Sequence, residues 1–203
     1  MSEEKNKNYR WDKKVPISWY KGKVNSHAEL WKYIEEFIKK NNINSIFEVG
    51  GGNGYVSELI SGSYLGVEVN EDIIIQGRKL YPDGEFIYED WLKFDVSPYV
   101  SKFDLFLSCA TIEHCNGYEK FISNAIDLKP KFILISFFKN LNSSKDQIRP
   151  RTTDGHMWFN NFYSRVDLEK FLKSKNVLDK CKFIDMKHTS GGEEIDSLLV
   201  VTL

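Results

Sequence analysis

Long apolar runs are missing from this chain. No stretch approaches the ~18 residues of a membrane-spanning helix, and Met1 to Arg10 is polar and charged rather than signal-like. Surplus charge is missing too. The 28 basic and 29 acidic side chains leave a formal net charge of −1. That balance gives no support for broad electrostatic capture of nucleic acid or of an anionic membrane. Cysteine is scarce: Cys109, Cys115 and Cys181 are odd in number and show no metal-site spacing. A reducing cytoplasmic compartment is the simplest expectation. What is present is an ordinary globular composition, 41% apolar and 28% charged over 203 residues, enough for one domain with a full core.

Residues 1–25 are polar with interspersed aromatics, Tyr9, Trp11, Trp19 and Tyr20. They read as an N-terminal arm, disordered over its first ten residues, ahead of one domain spanning 26–203. Ser26-His27-Ala28-Glu29 has the pattern of a capping box, and Leu30, Ile34, Phe37 and Ile38 follow at helical spacing until Asn41-Asn42. Strands and helices then alternate. Strands are predicted at 45–49, 64–69, 85–88, 103–108 and 131–137. Helices are predicted from Tyr55, from Asn70 (as N-cap) to Leu80, and over 118–128. This alternation predicts a parallel sheet with helices on both faces. Ser164 then caps a helix carrying Leu168, Phe171 and Leu172. Two further strands, 181–187 and 195–202, follow across a Gly191-Gly192 turn with no helix between them, so they are expected to be antiparallel. The expected fold is a single-domain α/β three-layer sandwich, Rossmann-like, with about seven mostly parallel strands and a C-terminal antiparallel hairpin. No internal repeat is visible.

The densest chemical signal is Glu48-Val49-Gly50-Gly51-Gly52-Asn53-Gly54, between an apolar strand and the start of a helix. Glycines there permit unusual φ and remove the Cβ atoms that would hold a ligand off the backbone. A dinucleotide loop, Gly-x-Gly-x-x-Gly, would put its third glycine at position 55, which is Tyr, and no Gly-Lys-Ser/Thr follows for a Walker loop. A nicotinamide oxidoreductase is therefore disfavoured.

The spacing Glu-x-Gly-x-Gly-x-Gly resembles the S-adenosylmethionine site of class I methyltransferases, and the resemblance runs over residues 26–203. It implies that Glu48, Gly50, Gly52 and Gly54 pass under the amino-acid part of the cofactor. It implies that Glu68, in Gly66-Val67-Glu68-Val69-Asn70, grips the ribose hydroxyls, a task suited to a carboxylate facing a vicinal diol. Asp90 would read the adenine amino group, Trp91 would pack on the ring, and Cys109 would lie near the sulfonium. All of these fall at carboxyl ends of predicted strands, where open α/β sheets bind ligands.

Methyl transfer from a sulfonium needs an aligned nucleophile and exclusion of water, and a protonated acceptor also needs a base. His114, beside Glu113 on the rim after the fourth strand, is the first candidate base, and His156 is its rival. Ile112-Glu113-His114 resembles a subgroup of ubiquinone-pathway and small-RNA methyltransferases in which Glu-x-x-Glu-His holds a divalent metal. Here the first Glu position is Ala110, so no tightly bound metal is expected, though Asp154 or His156 would be the residues to restore one. The long segment 139–163 is read as an acceptor-site loop, with Arg149 and Arg151 for an anionic group and Trp158 for a sugar or ring. His27 and His188 have no spacing that argues for function. The expected activity is S-adenosylmethionine-dependent O-methylation of a small metabolite, a sugar or phosphorylated acceptor among them. An RNA-modifying enzyme and a non-catalytic S-adenosylmethionine-binding protein are the alternatives. Oligomeric state has no signature.

Overall fold

A computed structural model describes residues 27–153, 156–187 and 195–203, without the side chains of Thr153 and His156. The N-terminal arm, Ser26, Asp154, His188 and the Gly191-Gly192 turn lie outside the described residues. Among the described residues eleven strands run in chain order: β1 (Ile46–Val49), β2 (Tyr64–Glu68), β3 (Glu85–Tyr88), β4 (Leu105–Ser108), β5 (Phe132–Phe137), β6 (Asn142–Gln147), β7 (Pro150–Thr153), β8 (His156–Phe159), β9 (Phe162–Ser164), β10 (Cys181–Lys187) and β11 (Ile195–Thr202). The α-helices among these residues are α1 (Ala28–Lys40), α2 (Glu71–Leu80), α3 (Glu119–Asp127) and α4 (Arg165–Ser174).

Seven strands form the main sheet in the order β10-β11-β5-β4-β1-β2-β3. β1 pairs in parallel with both β2 and β4, and β3 and β5 extend the parallel block outward. β11 joins antiparallel to β5, and β10 antiparallel to β11. The expected mostly parallel sheet with a C-terminal hairpin is therefore present. Strand order reverses between β1 and β4, and such a switch point leaves a crevice at the carboxyl ends of the strands.

Strand residues are apolar on both faces because helices cover both. Ile46, Leu105, Leu107, Leu134, Leu198 and Val200 pack on Leu30, Ile34 and Ile38 of α1. Their neighbours Phe47, Phe106, Ile133, Ile135, Leu199 and Val201 point the other way, onto Phe121, Ile122 and Ala125 of α3 and Leu168 and Leu172 of α4. The two-residue alternation of side chains across a strand produces this split.

Two caps are as the sequence predicts. Asn70 Oδ1 accepts from Ile73 N at 3.3 Å, and Ser164 Oγ from Asp167 N at 3.4 Å. Glu29 differs: its carboxylate accepts from Lys187 N at 2.9 Å and pins the start of α1 to the end of β10. Two segments also depart from expectation. The helix predicted from Tyr55 is only a 3-10 turn, Tyr55–Leu59, because Ile60 is already extended and Tyr64 must pair with Ile46. The long acceptor loop is instead a two-part β ribbon, with β6 antiparallel to β9 and β7 antiparallel to β8. Its first strand, Asn-Ser-Ser-Lys-Asp-Gln, carries no apolar alternation. Docking supplies its order: Tyr163, 1% exposed, donates its hydroxyl to Ile112 O at 3.1 Å.

Candidate functional site

β1 ends at Val49, and the chain turns sharply through Gly50, whose φ is +67°, and on to Gly54, whose φ is +81°. Gly50 N donates to Val67 O at 2.9 Å, which ties the turn to β2. On its other side a Cβ at Gly50 would lie 2.2 Å from Thr111 Oγ1. Thr111 is itself held there, donating to Cys109 O at 3.0 Å. The segment leaving β4 thus seats directly on the glycine turn. Ala110 takes a φ of +52°, unusual for a residue with a side chain, and its N–H donates to Ser136 Oγ at 3.0 Å.

A cleft opens over this turn. Glu48, Gly50, Gly51 and Gly52 form its floor, Cys109 and Ala110 one side, and His27 and Trp31 from the α1 end the other. Glu48 is 1% exposed. Its Oε2 accepts from Tyr64 Oη at 2.7 Å, while its Oε1 has no hydrogen-bond partner. Burial pushes the Glu48 carboxyl up to about 7; the Tyr64 hydroxyl opposes this and the nearby Glu68 charge adds to it.

Glu68 and Asp90 stand at the tips of β2 and β3, next along the sheet from β1. Glu68 Oε1 accepts from Val69 N at 2.7 Å and Asn70 N at 3.2 Å, which fixes its rotamer at the start of α2. Asp90 Oδ1 accepts from Leu92 N at 3.0 Å. Trp91 is not at the surface of this region. It is 3% exposed and sits among Phe47, Phe94, Phe106 and Phe121, with its indole N–H donating to Phe121 O at 3.1 Å. Burying the ring in an aromatic cluster that also satisfies its one donor outweighs an exposed position, so the expected packing of Trp91 on a cofactor ring is replaced by a core role.

Beyond Ala110, a 3-10 turn carries Ile112, Glu113 and His114. The ribbon closes over it. Asn161 N donates to Glu113 O at 3.0 Å, and Asn161 Nδ2 to Cys115 O at 2.7 Å. His114 Nδ1 lies 3.0 Å from Phe159 O. A carbonyl only accepts, so Nδ1 carries the proton and Nε2 is the basic nitrogen of the neutral ring. Phe138 and Trp158 flank the ring at 5.5 and 6.1 Å.

Glu113 is 1% exposed, and neither carboxylate oxygen has a partner in hydrogen-bond geometry. Burial drives its carboxyl up to about 8, against the pull of the Phe138 and Lys139 N–H groups and the Lys139 ammonium. Glu113 is thus neutral below that pH. The folded value lies above the unfolded one. The stabilisation is therefore full below about 4.5 and is lost as pH rises through about 8. Glu113→Gln, which cannot ionise, is expected to melt at a higher temperature than the wild type at pH 9. At pH 4 the two should melt alike. Thermal unfolding at the two pH values checks this; equal melting at pH 9 would mean Glu113 is not buried as an acid.

The two arginines separate. Arg149 stacks over Phe162, 4.4 Å from its centroid, and its N–H group reaches Gln147. Arg151 is exposed on β7, directly opposite Trp158 in the ladder, so both side chains stand on one face of the ribbon. The backbone of His156 lies on β8, but its side chain is outside the description. Among the described residues no three His, Cys, Asp or Glu side chains gather as a metal site.

No protein-family model matches the sequence. No curated protein matches it either. Solved structures do. The N-terminal domain of EvdMO1 with S-adenosylhomocysteine bound aligns with a TM-score of 0.61 at 13% identity, over 94% of this chain and 82% of that one. The methyltransferase domain of a bacterial CtHen1-CN gives 0.60 at 12% identity, over 88% and 100%. The 1,6-didemethyltoxoflavin-N1-methyltransferase of Burkholderia thailandensis, with that substrate and S-adenosylhomocysteine bound, gives 0.59 at 11%, over 93% and 90%. The fold is that of the class I S-adenosylmethionine-dependent methyltransferases.

Within this methyltransferase fold the structure adds residues that no motif signalled. Tyr64, the first residue of β2, clamps Glu48. Asn53, 4% exposed with an unpartnered Oδ1, lines the cleft with Tyr55. His27 also lines it, with Nδ1 2.6 Å from Asp196 Oδ2. That contact spans 169 positions of sequence, so no local pattern announces it.

Proposed function

We propose that this chain is an S-adenosylmethionine-dependent methyltransferase whose catalytic domain spans 26–203 and whose acceptor is a hydroxyl on a small molecule. The observation that carries this reading is the cleft at the sheet's switch point. Its floor is the glycine turn Gly50–Gly52 together with Glu48, whose buried carboxylate oxygen Oε1 has no hydrogen-bond partner. A buried acceptor left unpaired is costly, and a ligand ammonium would satisfy it. A Cβ on Gly50 or Gly51 would collide with Thr111 or Glu48, so these two positions tolerate only bare backbone. Glu68 and Asp90, on the next two strand tips, suit a ribose diol and an adenine amine. The residues present fit the cofactor.

When bound, the cofactor supplies a methyl group already activated on sulfur. The chain then has to position the acceptor, shed water and take a proton. Cys109 and Ala110 border the end of the cleft nearest the β4 exit. His114, its Nδ1 proton committed to Phe159 O, is the proposed base through Nε2, and the neighbouring Glu113 is proposed to orient it or to bind the acceptor. Trp158 and Arg151, on one ribbon face beside it, are the proposed acceptor contacts, with Arg149 one step further along the ribbon. His156 is kept as the alternative base.

Calorimetry with S-adenosylhomocysteine tests the cofactor reading; failure to bind would end it. Tritium-labelled methyl donor offered to panels of sugars, phenols and phosphorylated alcohols tests the acceptor. His114→Ala is expected to cut labelling at least tenfold while S-adenosylhomocysteine affinity stays within about twofold. Wild-type labelling in that variant would move the base role elsewhere.

A further inference from the structure

We propose that His27, backed by the buried carboxylate of Asp196, is the residue that binds the carboxylate of the cofactor's amino-acid part, so that the cleft reads both ends of a zwitterion. This rests on the cofactor reading above. It begins from a charge inventory. Of the described residues lining the cleft, only His27 can carry positive charge; the remainder are apolar, neutral or, in Glu48, acidic. An α-amino acid brings an ammonium and a carboxylate. The unpartnered Glu48 Oε1 is the acceptor suited to the first. His27 is the donor suited to the second.

Three features prepare His27 for an anion. Its Nδ1 lies 2.6 Å from Asp196 Oδ2, with the carboxylate side chain 1% exposed and the imidazole 12% exposed. This contact fixes the ring's orientation, with Nδ1 turned to Asp196. His27 also stands at the N-terminus of α1, a 13-residue helix, where unpaired N–H groups and the helix dipole favour negative charge. The one acid in that first turn, Glu29, is engaged with Lys187 N. Finally, Asp196 lies just ahead of Ser197, which pairs with Phe137 at the end of β5. The dyad therefore sits on the β5–β11 side of the switch point, away from Glu68 and Asp90. The long axis of a ligand with its adenosyl end toward β2 and β3 would leave its amino-acid end here.

Calorimetry with two probes tests this. S-adenosylhomocysteine carries the amino-acid part; 5′-methylthioadenosine keeps the adenosine and thioether and lacks it. The wild type should prefer S-adenosylhomocysteine. His27→Ala and Asp196→Asn should each weaken S-adenosylhomocysteine about tenfold or more and leave 5′-methylthioadenosine within about twofold. His27→Gln, which keeps a donor without the charge, should fall between. Retained 5′-methylthioadenosine binding also certifies that each variant is folded. Equal affinity of the wild type for both probes would overturn the proposal and spare the cofactor reading. Parallel loss of both probes would assign the dyad to the fold instead, and unchanged S-adenosylhomocysteine binding would remove His27 from the site. Binding of neither probe by the wild type would overturn both readings.

Discussion

Glu68→Ala is expected to weaken S-adenosylhomocysteine binding roughly 100-fold, the combined worth of two charge-assisted hydrogen bonds to a vicinal diol. The geometry makes the loss large because the carboxylate is already immobilised. Its Oε1 is held by Val69 N and Asn70 N at 2.7 and 3.2 Å, so little entropy is spent on ordering it when a ligand arrives. The ribose does not react, so methyl transfer at saturating donor should change much less than affinity. Glu68→Gln keeps an acceptor oxygen without the charge and should lie between. Titration calorimetry on the three proteins reads the series; an unchanged dissociation constant in Glu68→Ala would take this residue out of the site.

Gly50→Ala is expected to cost on the order of 3 kcal/mol of stability and to lower the melting temperature by roughly 10 °C. Two terms add. The φ of +67° is unfavourable for any residue with a Cβ. The new methyl would also fall 2.2 Å from Thr111 Oγ1 and 2.9 Å from Thr111 Cβ, and a short β-branched side chain cannot swing away without moving its backbone. That backbone leads to Ala110 and His114, so cofactor binding should fall with stability. Pairing Gly50→Ala with Thr111→Gly should restore the steric part and leave the backbone part. A single variant that melts with the wild type would mean the turn is loose.

The sequence showed the sheet and its helices because their physics is local. Ile46-Phe47, Leu105-Phe106-Leu107 and Ile133-Leu134-Ile135 are strongly apolar in short runs, and Asn70 and Ser164 cap as their side chains predict. It also showed the glycine turn, since few arrangements need glycine at 50, 52 and 54 together. The ribbon over 142–164 is not legible because its first two strands, Asn142–Gln147 and Pro150–Thr153, are polar and owe their order to docking through Asn161 and Tyr163. The burial of Trp91 is not legible, because a Trp beside a site acid looks the same in sequence whether it faces a ligand or the core. Nothing local marks His27, because its partner, Asp196, lies at the far end of the chain.

On the proposed reading, an adenosyl cofactor lies in the cleft above Gly50–Gly52 with its ribose at Glu68. A crystal structure of the complex with S-adenosylhomocysteine tests it most directly. The amino-acid part should lie between Glu48 and the α1 end, and the ribose hydroxyls within hydrogen-bond distance of the Glu68 carboxylate. A ligand bound elsewhere, or a ribose turned away from Glu68, would contradict it.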